Sequence, residues 1–166
     1  MTAVEQPKRK ILVAVDDGEE SIYALEWCLK NIVNDQNNGS KDTLVLLYAS
    51  PPPVVYGAMD GTGYLLSSDI MHIMERHKKE MVKSVIEKAK MVCKDLQNVK
   101  VETMWEIGDA RDVICNTAEK LQVDMVVMGS HGYGIIKRTL LGSVSNHCAQ
   151  NLKCPVLVVK RKMTTK

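Results

Sequence analysis

The sequence predicts an α/β fold, a five-stranded parallel sheet with helices on both faces. Short apolar runs without polar alternation follow one another along the chain, separated by segments whose apolar residues recur at helical spacing. Such runs are typical of strands that are covered on both faces. With 166 residues, 45% of them hydrophobic and 25% charged, the chain has the composition of one globular domain. We expect a single domain over residues 1–166, with flexible tails at 1–8 and 161–166.

Five segments are predicted as strands. Four are apolar along their length, namely Lys10–Val15, Thr43–Ala49, Met125–Met128 and Pro155–Val159. The third strand in chain order, 99–106, instead alternates its apolar residues with Lys100, Glu102 and Glu106, the pattern of a half-exposed edge strand. An alternating strand at one edge suits the strand order 3-2-1-4-5, which makes the first and fourth strands neighbours.

Four helices are predicted between the strands. The first spans Glu19–Val33, and the second runs from Ser67 or Ser68 to about Asn98, with Met74 and Met81 on its buried face. A third begins at the cap Asp109, and a fourth opens at Gly142. The stretch 51–68, which begins with three prolines and contains three glycines, is predicted to be a long loop, equally a lid or a mobile segment.

The stretch from Met125 to Ser145 has the organisation of a phosphate cradle. An apolar strand ends at Met128-Gly129, and a loop with Gly132 follows. We expect Gly129 and Gly132 to permit φ > 0 in the turn and to leave amide N–H groups open. Further on, Gly142-Ser143-Val144-Ser145 has the composition of a helix N-terminus, which favours an anion.

The spacing Gly129-x-x-Gly132-x(9)-Gly142-Ser143 resembles the nucleotide-binding signature of the universal stress protein family, in its ATP-binding branch. The resemblance includes the opening strand that ends in Asp16 and the closing stretch 154–159, and a plant-type single-domain member is the nearest likeness. It implies the same strand order, a Rossmann-like sheet of the adenine nucleotide alpha hydrolase-like kind.

The resemblance implies an adenine-nucleotide-binding stress-response protein that takes ATP or AMP. Backbone groups of Ala14, Val15 and Ala49 would receive the base, and Asp16 the ribose. The ribose and phosphates would be surrounded by the residues of the glycine stretch: Met128, Gly129, His131, Gly132, Gly142, Ser143, Val144 and Ser145. Mg²⁺ would come with ATP, with Asp16 as a possible ligand, and Asp17 is predicted to cap the first helix.

Two other functions compete with nucleotide binding. The same scaffold could support slow ATP hydrolysis or nucleotidyl transfer, although no general base stands at a recognisable spacing from Ser143. The chain could also be a protein-interaction module with a vestigial site. We expect a binding protein rather than an enzyme.

Composition argues against several other classes. The net charge of +2 lies in short basic runs at Lys8–Lys10 and Lys160–Lys162, which we expect to be solvated, and aromatic residues are scarce, so no nucleic-acid partner is expected. No signal peptide or membrane span is apparent, and a cytoplasmic location is expected. The five cysteines are expected to be free thiols, and His72 and His77 are spaced wrongly for a metal.

The apolar pattern of the fifth strand predicts that another chain covers it. The segment Val156–Val159 is apolar on both faces although the strand order leaves it at an edge, where an uncovered strand invites aggregation. We therefore expect a homodimer joined at this strand, as the family resemblance also implies. The alternative is that the N-terminal segment Thr2–Pro7 folds over the edge.

Overall fold

A computed structural model describes residues 8–33, 42–53, 68–131 and 141–162. The five strands are β1 (Lys10–Ala14), β2 (Thr43–Ser50), β3 (Lys100–Ile107), β4 (Met125–Gly129) and β5 (Val156–Val159). The four helices are α1 (Glu19–Asn31), α2 (Ser68–Val92), α3 (Ala110–Leu121) and α4 (Ser143–Asn151). Helices and strands therefore alternate as predicted. Most of the loop expected at 51–68 lies outside the described residues.

The strands form one parallel sheet in the order β3-β2-β1-β4-β5. Both the fold class and the strand order are confirmed. The predicted edges are correct as well, because β3 pairs with β2 and β5 with β4, each on one side. Burial agrees with this order at the β3 edge: β1 and β4 have apolar side chains on both faces and lie inside the sheet, whereas no residue of β3 is fully buried.

Each face of the sheet has its own core. Residues of β1 and β2 such as Val13 and Leu46 pack with α1 and α2, and the alternate residues Leu12 and Leu47 pack with α3 and α4. The helices that follow β1 and β4 consequently lie on opposite faces. None of the helices in the described ranges is long and apolar enough to cross a membrane.

Helix α2 differs from the prediction at both its length and its buried face. It ends at Val92, and its buried residues Val82, Val85 and Ala89 all belong to its second half. Met74 is 46% exposed and Met81 38% exposed, so the prediction that they fill the core is wrong. The reason is length: a 25-residue helix measures roughly 37 Å at 1.5 Å per residue, longer than the eight-residue strands beside it.

At the amino edge of the sheet, Arg9 from the basic run Lys8–Lys10 forms an ion pair with Asp42. Arg9 donates through Nη2 to Asp42 Oδ2 at 2.6 Å and through Nε to Oδ1 at 3.1 Å, and it also donates to the carbonyl of Ile32. Asp42 is fully buried. Arg9 is therefore not the solvated flank that its neighbours suggested.

Candidate functional site

The candidate site lies at the carboxyl edge of the sheet, where β1 and β4 end side by side. Because α1 and α4 leave toward opposite faces, their starting points diverge and leave a crevice above these two strands. Ligands of open α/β sheets bind at such switch points. The topology therefore brings Asp16, Ala49, Gly129 and the start of α4 to one edge, as the sequence predicted.

The chain that leaves β4 is fastened to the start of α4. The carbonyl of Ser130 accepts a hydrogen bond from the amide of Gly142 at 2.7 Å and another from the hydroxyl of Ser145 at 3.1 Å. Ser145 is 2% exposed and also donates to the carbonyl of Gly142. Its hydroxyl is thus committed to the backbone, and we assign Ser145 a positioning role in the cradle.

The N-terminus of α4 has features that favour an anion. Its N-cap is Gly142, which supplies no side-chain hydrogen bond, and its first turn has no acidic residue. The first intrahelical bond runs from the amide of Asn146 to the carbonyl of Gly142, so the amides of Ser143, Val144 and Ser145 have no helical acceptor. The other three helices each have an acidic residue in the first turn. Among the described residues, α4 therefore has no acidic side chain in its first turn to compensate the positive end of its dipole.

His131 contributes a polar atom beside this helix end. Its Nδ1 is buried and has no hydrogen-bond partner among the described residues. The atom lies 3.4 Å from the position that a Cβ on Gly142 would take. A buried imidazole nitrogen without a partner costs free energy in the folded protein, and a ligand oxygen at the α4 terminus would satisfy it.

The glycines act through close packing rather than through unusual backbone angles. A Cβ on Gly129 would lie 3.0 Å from the backbone carbon and oxygen of Glu20, and a Cβ on Gly142 would lie 2.8 Å from the carbonyl of Ser130. Gly142 has φ −62° and ψ 161°, which any residue can adopt. The expected φ > 0 is therefore wrong for Gly129, which is an extended residue of β4. Gly132 lies outside the described residues.

Neither of the two adjacent aspartates caps α1 through its side chain. Asp16 Oδ1 accepts from the amide of Gly18 at 2.8 Å, and Gly18 is the N-cap of α1. Asp17 is exposed and does not cap the helix, so that prediction is wrong. Ser21 fixes the turn further by accepting from the amide of Asp16 at 3.0 Å. The Oδ2 atom of Asp16 makes no hydrogen bond within the described ranges and remains available to a ligand.

Backbone groups at the ends of β1 and β2 also face the crevice. The amide of Val15 donates to the carbonyl of Leu47 at 2.9 Å, which leaves only the carbonyl of Val15 for a ligand. Every second residue of a strand points its N–H and C=O to the same side, so these groups of Ala49, like those of Leu47, point toward β1. Ala49 lies beyond Leu47, which pairs with Ala14, the last residue of β1. Burial raises the pKa of the neighbouring Tyr48, which keeps its phenol protonated close to Asp16.

Glu20 is a site residue that sequence reasoning missed. Its backbone lies against Gly129, and its Oε2 is buried without a hydrogen-bond partner among the described residues. Nearby, Arg161 donates to Glu19, and this hydrogen bond raises the pKa of Arg161. Its position in the sequence could have indicated this, because Glu20 is the second residue of the helix that follows β1 and therefore lies near the carboxyl edge of the sheet.

Metal-ligand geometry is absent from the described part of the chain. No three histidine, cysteine, aspartate or glutamate side chains there are grouped so that they could hold a metal ion. A hollow of about 440 Å³ does lie along α2, but its lining residues, such as Glu75 and Lys79, all belong to one helix. The hollow therefore brings together no groups from different elements.

Comparison with known proteins identifies the family. The family model described as "Universal stress protein family" matches residues 8–160. The chain is 31% identical over 163 residues to the universal stress protein PHOS32 of Arabidopsis thaliana, covering 92% of this chain and 65% of that protein. It is 30% identical to YxiE of Bacillus subtilis, covering 91% of this chain and 98% of YxiE. The chain spans about 62% of the length of a second Arabidopsis relative, PHOS34.

Solved structures agree on the fold. Protein MJ0577 of Methanocaldococcus jannaschii superimposes with a TM-score of 0.70 at 25% identity, covering 94% of this chain and 98% of that one. An Arabidopsis thaliana universal stress protein family protein, solved with AMP bound, gives a TM-score of 0.63 at 23% identity, covering 93% and 92% of the two chains. With the family model matched from the first strand to the last, the chain belongs to the universal stress protein family.

Proposed function

We propose that this protein binds an adenine nucleotide in the crevice between β1 and β4 and acts as a nucleotide-dependent regulatory or protective module in the stress response. The observation that supports this most directly is the start of α4, where three amides without helical acceptors adjoin the buried Nδ1 of His131. A phosphate group matches both features, since its oxygens accept hydrogen bonds and its charge suits the helix dipole.

Each part of the nucleotide has a matching part of the crevice. The phosphates would lie on the amides of Ser143, Val144 and Ser145, and the free Oδ2 of Asp16 would accept from a ribose hydroxyl. The backbone groups of Ala49 and the carbonyl of Val15 would receive the base. Two structural neighbours support an adenine nucleotide, because one was solved with AMP bound and another universal stress protein in complex with cAMP.

The proposal favours binding over catalysis. Holding a phosphate at a helix terminus supplies positioning and some charge stabilisation, but hydrolysis also needs an oriented water or a metal on the transferred group. Mg²⁺ would arrive on the phosphates of ATP, with Asp16 as its protein ligand. Steady-state ATP turnover of about 1 per second, a common rate for enzymes, that disappears in Asp16→Asn would contradict this proposal and favour the hydrolase.

Calorimetric titration of a charge variant tests the phosphate position. Ser143 is exposed in the first turn of α4, so Ser143→Glu adds a negative charge where phosphate should bind and leaves the core intact. We expect AMP affinity to fall at least about tenfold, which corresponds to about 1.4 kcal/mol, while adenosine affinity stays unchanged. Ala149→Glu is the control, because it places the same charge at an exposed position of the same helix.

A second variant tests the ribose contact. In Asp16→Asn the amide oxygen can still accept from Gly18, so the turn into α1 is preserved while one ribose partner changes. We expect AMP and adenosine affinities to fall by the same factor. If mass spectrometry of gently purified protein shows no bound nucleotide, and titration detects no binding of AMP, cAMP or ATP, the site is vestigial and the proposal is wrong.

A further inference from the structure

Two cysteine thiols are in contact at a place unrelated to the nucleotide crevice. Cys115 lies on α3 and Cys148 on α4, and the Sγ atom of Cys115 lies 3.9 Å from that of Cys148, within reach of a thiol hydrogen bond. The two helices pack side by side on one face of the sheet. Cys148 is fully buried, whereas Cys115 is partly exposed.

A groove connects Cys115 to solvent. It has a volume of about 320 Å³ and lies between the C-terminal ends of α3 and α4 and the chain that leads into β5. Its walls include Cys115, Gln122, Lys153 and Cys154. Because helices in this fold run antiparallel to the strands, the groove opens at the amino edge of the sheet, opposite the crevice. A small polar molecule can therefore reach Cys115 without passing through the core.

We propose that Cys115 and Cys148 form an oxidisable dithiol, a modification site that hydrogen peroxide converts to a disulfide. In the first step the Cys115 sulfur attacks one peroxide oxygen, the O–O bond breaks, and a sulfenic acid and one water molecule result. In the second step the Cys148 sulfur attacks the Cys115 sulfur, the S–O bond breaks, and the departing hydroxyl takes the Cys148 proton and leaves as water. The two thiols together lose two electrons and two protons, and the peroxide is reduced to two molecules of water.

The surroundings make this pair different from the other thiols. Cys28 and Cys93 lie in the core on the opposite face of the sheet, where burial raises the pKa of Cys28 to about 12 and that of Cys93 to about 11. Neither lines the groove. Burial also raises the pKa of Cys148 to about 12, and this thiol is consequently the slow partner in the second step. The sulfenic acid on Cys115 should persist long enough to be trapped by a dimedone probe.

Peptide mapping after peroxide treatment tests the pairing. In the unmodified protein we expect the loss of two hydrogen atoms and a peptide pair that joins Cys115 to Cys148. Cys154→Ser is the control, because it removes the other groove thiol and should keep the link. Cys115→Ser should abolish both the link and dimedone labelling, and Cys148→Ala should abolish the link and increase labelling of Cys115.

Three results would overturn the inference. The first is a Cys115–Cys154 link in the unmodified protein, and the second is sulfinic acid at Cys115 with no disulfide. The third is a chain that stays fully reduced under peroxide concentrations that oxidise a free cysteine peptide. Should Cys148→Ala fail to fold, mapping of the unmodified protein and of Cys154→Ser still decides the pairing. The outcome does not depend on nucleotide binding, so the two proposals fail or stand separately.

Discussion

At the scale of single residues, the role of a charged side chain depends on the direction in which it points and not only on its residue type. Asp16 and Asp17 are adjacent carboxylates after the same strand, yet one bonds the turn amide of Gly18 and the other is exposed. Arg9 similarly lies between two lysines but points to a buried carboxylate. The sequence indicated that these positions were charged. It could not show which side chain turns inward, because that depends on backbone geometry at the strand ends.

Loss of the Arg9 guanidinium should destabilise the amino edge. In Arg9→Ala the buried carboxylate of Asp42 loses a bidentate partner, and the carbonyl of Ile32 loses a donor. We expect the free energy of unfolding to fall by about 2 kcal/mol, below the 3–5 kcal/mol of a fully buried pair, because the Arg9 side chain is 42% exposed and Asp42 keeps another interaction.

Chemical denaturation measures this difference, with Lys8→Ala as the control. Lys8 is exposed and lies next to Arg9, so its loss should change the unfolding free energy little. Equal effects of the two substitutions would show that the ion pair contributes nothing to stability.

The carboxyl group of Asp109 should titrate unusually low. Its hydrogen bonds from the side chain and then the backbone of Arg111 lower its pKa from 3.8 to about 2. Because the folded-state pKa is depressed, the associated stability is present above the unfolded value near 3.8 and is lost as pH falls through about 2. Carbon-detected NMR titration should show this midpoint, and Arg111→Ala should raise it. An unchanged midpoint in Arg111→Ala would assign the shift to another cause.

At the scale of elements, α1 and β4 depend on a close approach at Gly129. A Cβ there would meet two backbone atoms of Glu20 at 3.0 Å, and a helix backbone cannot yield locally. We expect Gly129→Ala to lower the free energy of unfolding by about 1–3 kcal/mol, the usual cost of overpacking. Thermal unfolding followed by circular dichroism measures the loss.

Gly108→Ala is the matched control for this effect. Its added Cβ would also meet an atom at 3.0 Å, but that atom is a methyl carbon of Val113, which can shift more easily than backbone. We expect a smaller loss of stability than in Gly129→Ala. The opposite ranking would mean that α1 can move away from β4 at little cost.

The elements also show where sequence periodicity stops being informative. Strands such as β1 were predictable because full burial leaves a continuous apolar run. The apolar stripe of α2 continues through Met71 and Met74, but these side chains are exposed since the sheet below is shorter than the helix. A hydrophobic pattern indicates which face of a helix could be buried, and tertiary contacts decide how much of it is.

At the scale of the whole molecule, β5 pairs on one side only among the residues that the structure describes, so its other edge could receive a second copy. The carbonyls of Pro155 and Val159 accept from β4, so the backbone groups of Val156 and Val158 point away from the sheet. We expect a homodimer that pairs β5 with its symmetry mate about a two-fold axis. Lysines at Val156 or Val158 would test this poorly, because both side chains pack against the core beneath α3 and α4.

A proline substitution separates association from folding. Val158→Pro removes an outward amide and keeps every hydrogen bond to β4, so light scattering should show a monomer with the unmodified secondary structure. Thr103→Pro is the control, because it also removes an outward amide, but from β3 at the opposite edge. The amides of Lys100 and Gly108 donate toward the β2 side, to Asp42 and Ser50, so the amide of Thr103 points outward. A dimer in Val158→Pro, or a monomeric unmodified chain at micromolar concentration, would refute the β5 interface.

Because of the hydrogen bond between Ser130 and Gly142, anion binding at the start of α4 and selectivity among ligands could evolve independently. It closes the connection at its base, with 2.7 Å between the amide nitrogen and the carbonyl oxygen. A connection that is closed at its base can change in length or sequence at a small entropic cost, since loop closure depends only weakly on length. The start of α4 keeps its place meanwhile. Anchoring of an anion would be a fixed property of the scaffold, and discrimination among molecules that share that anion would be the variable one.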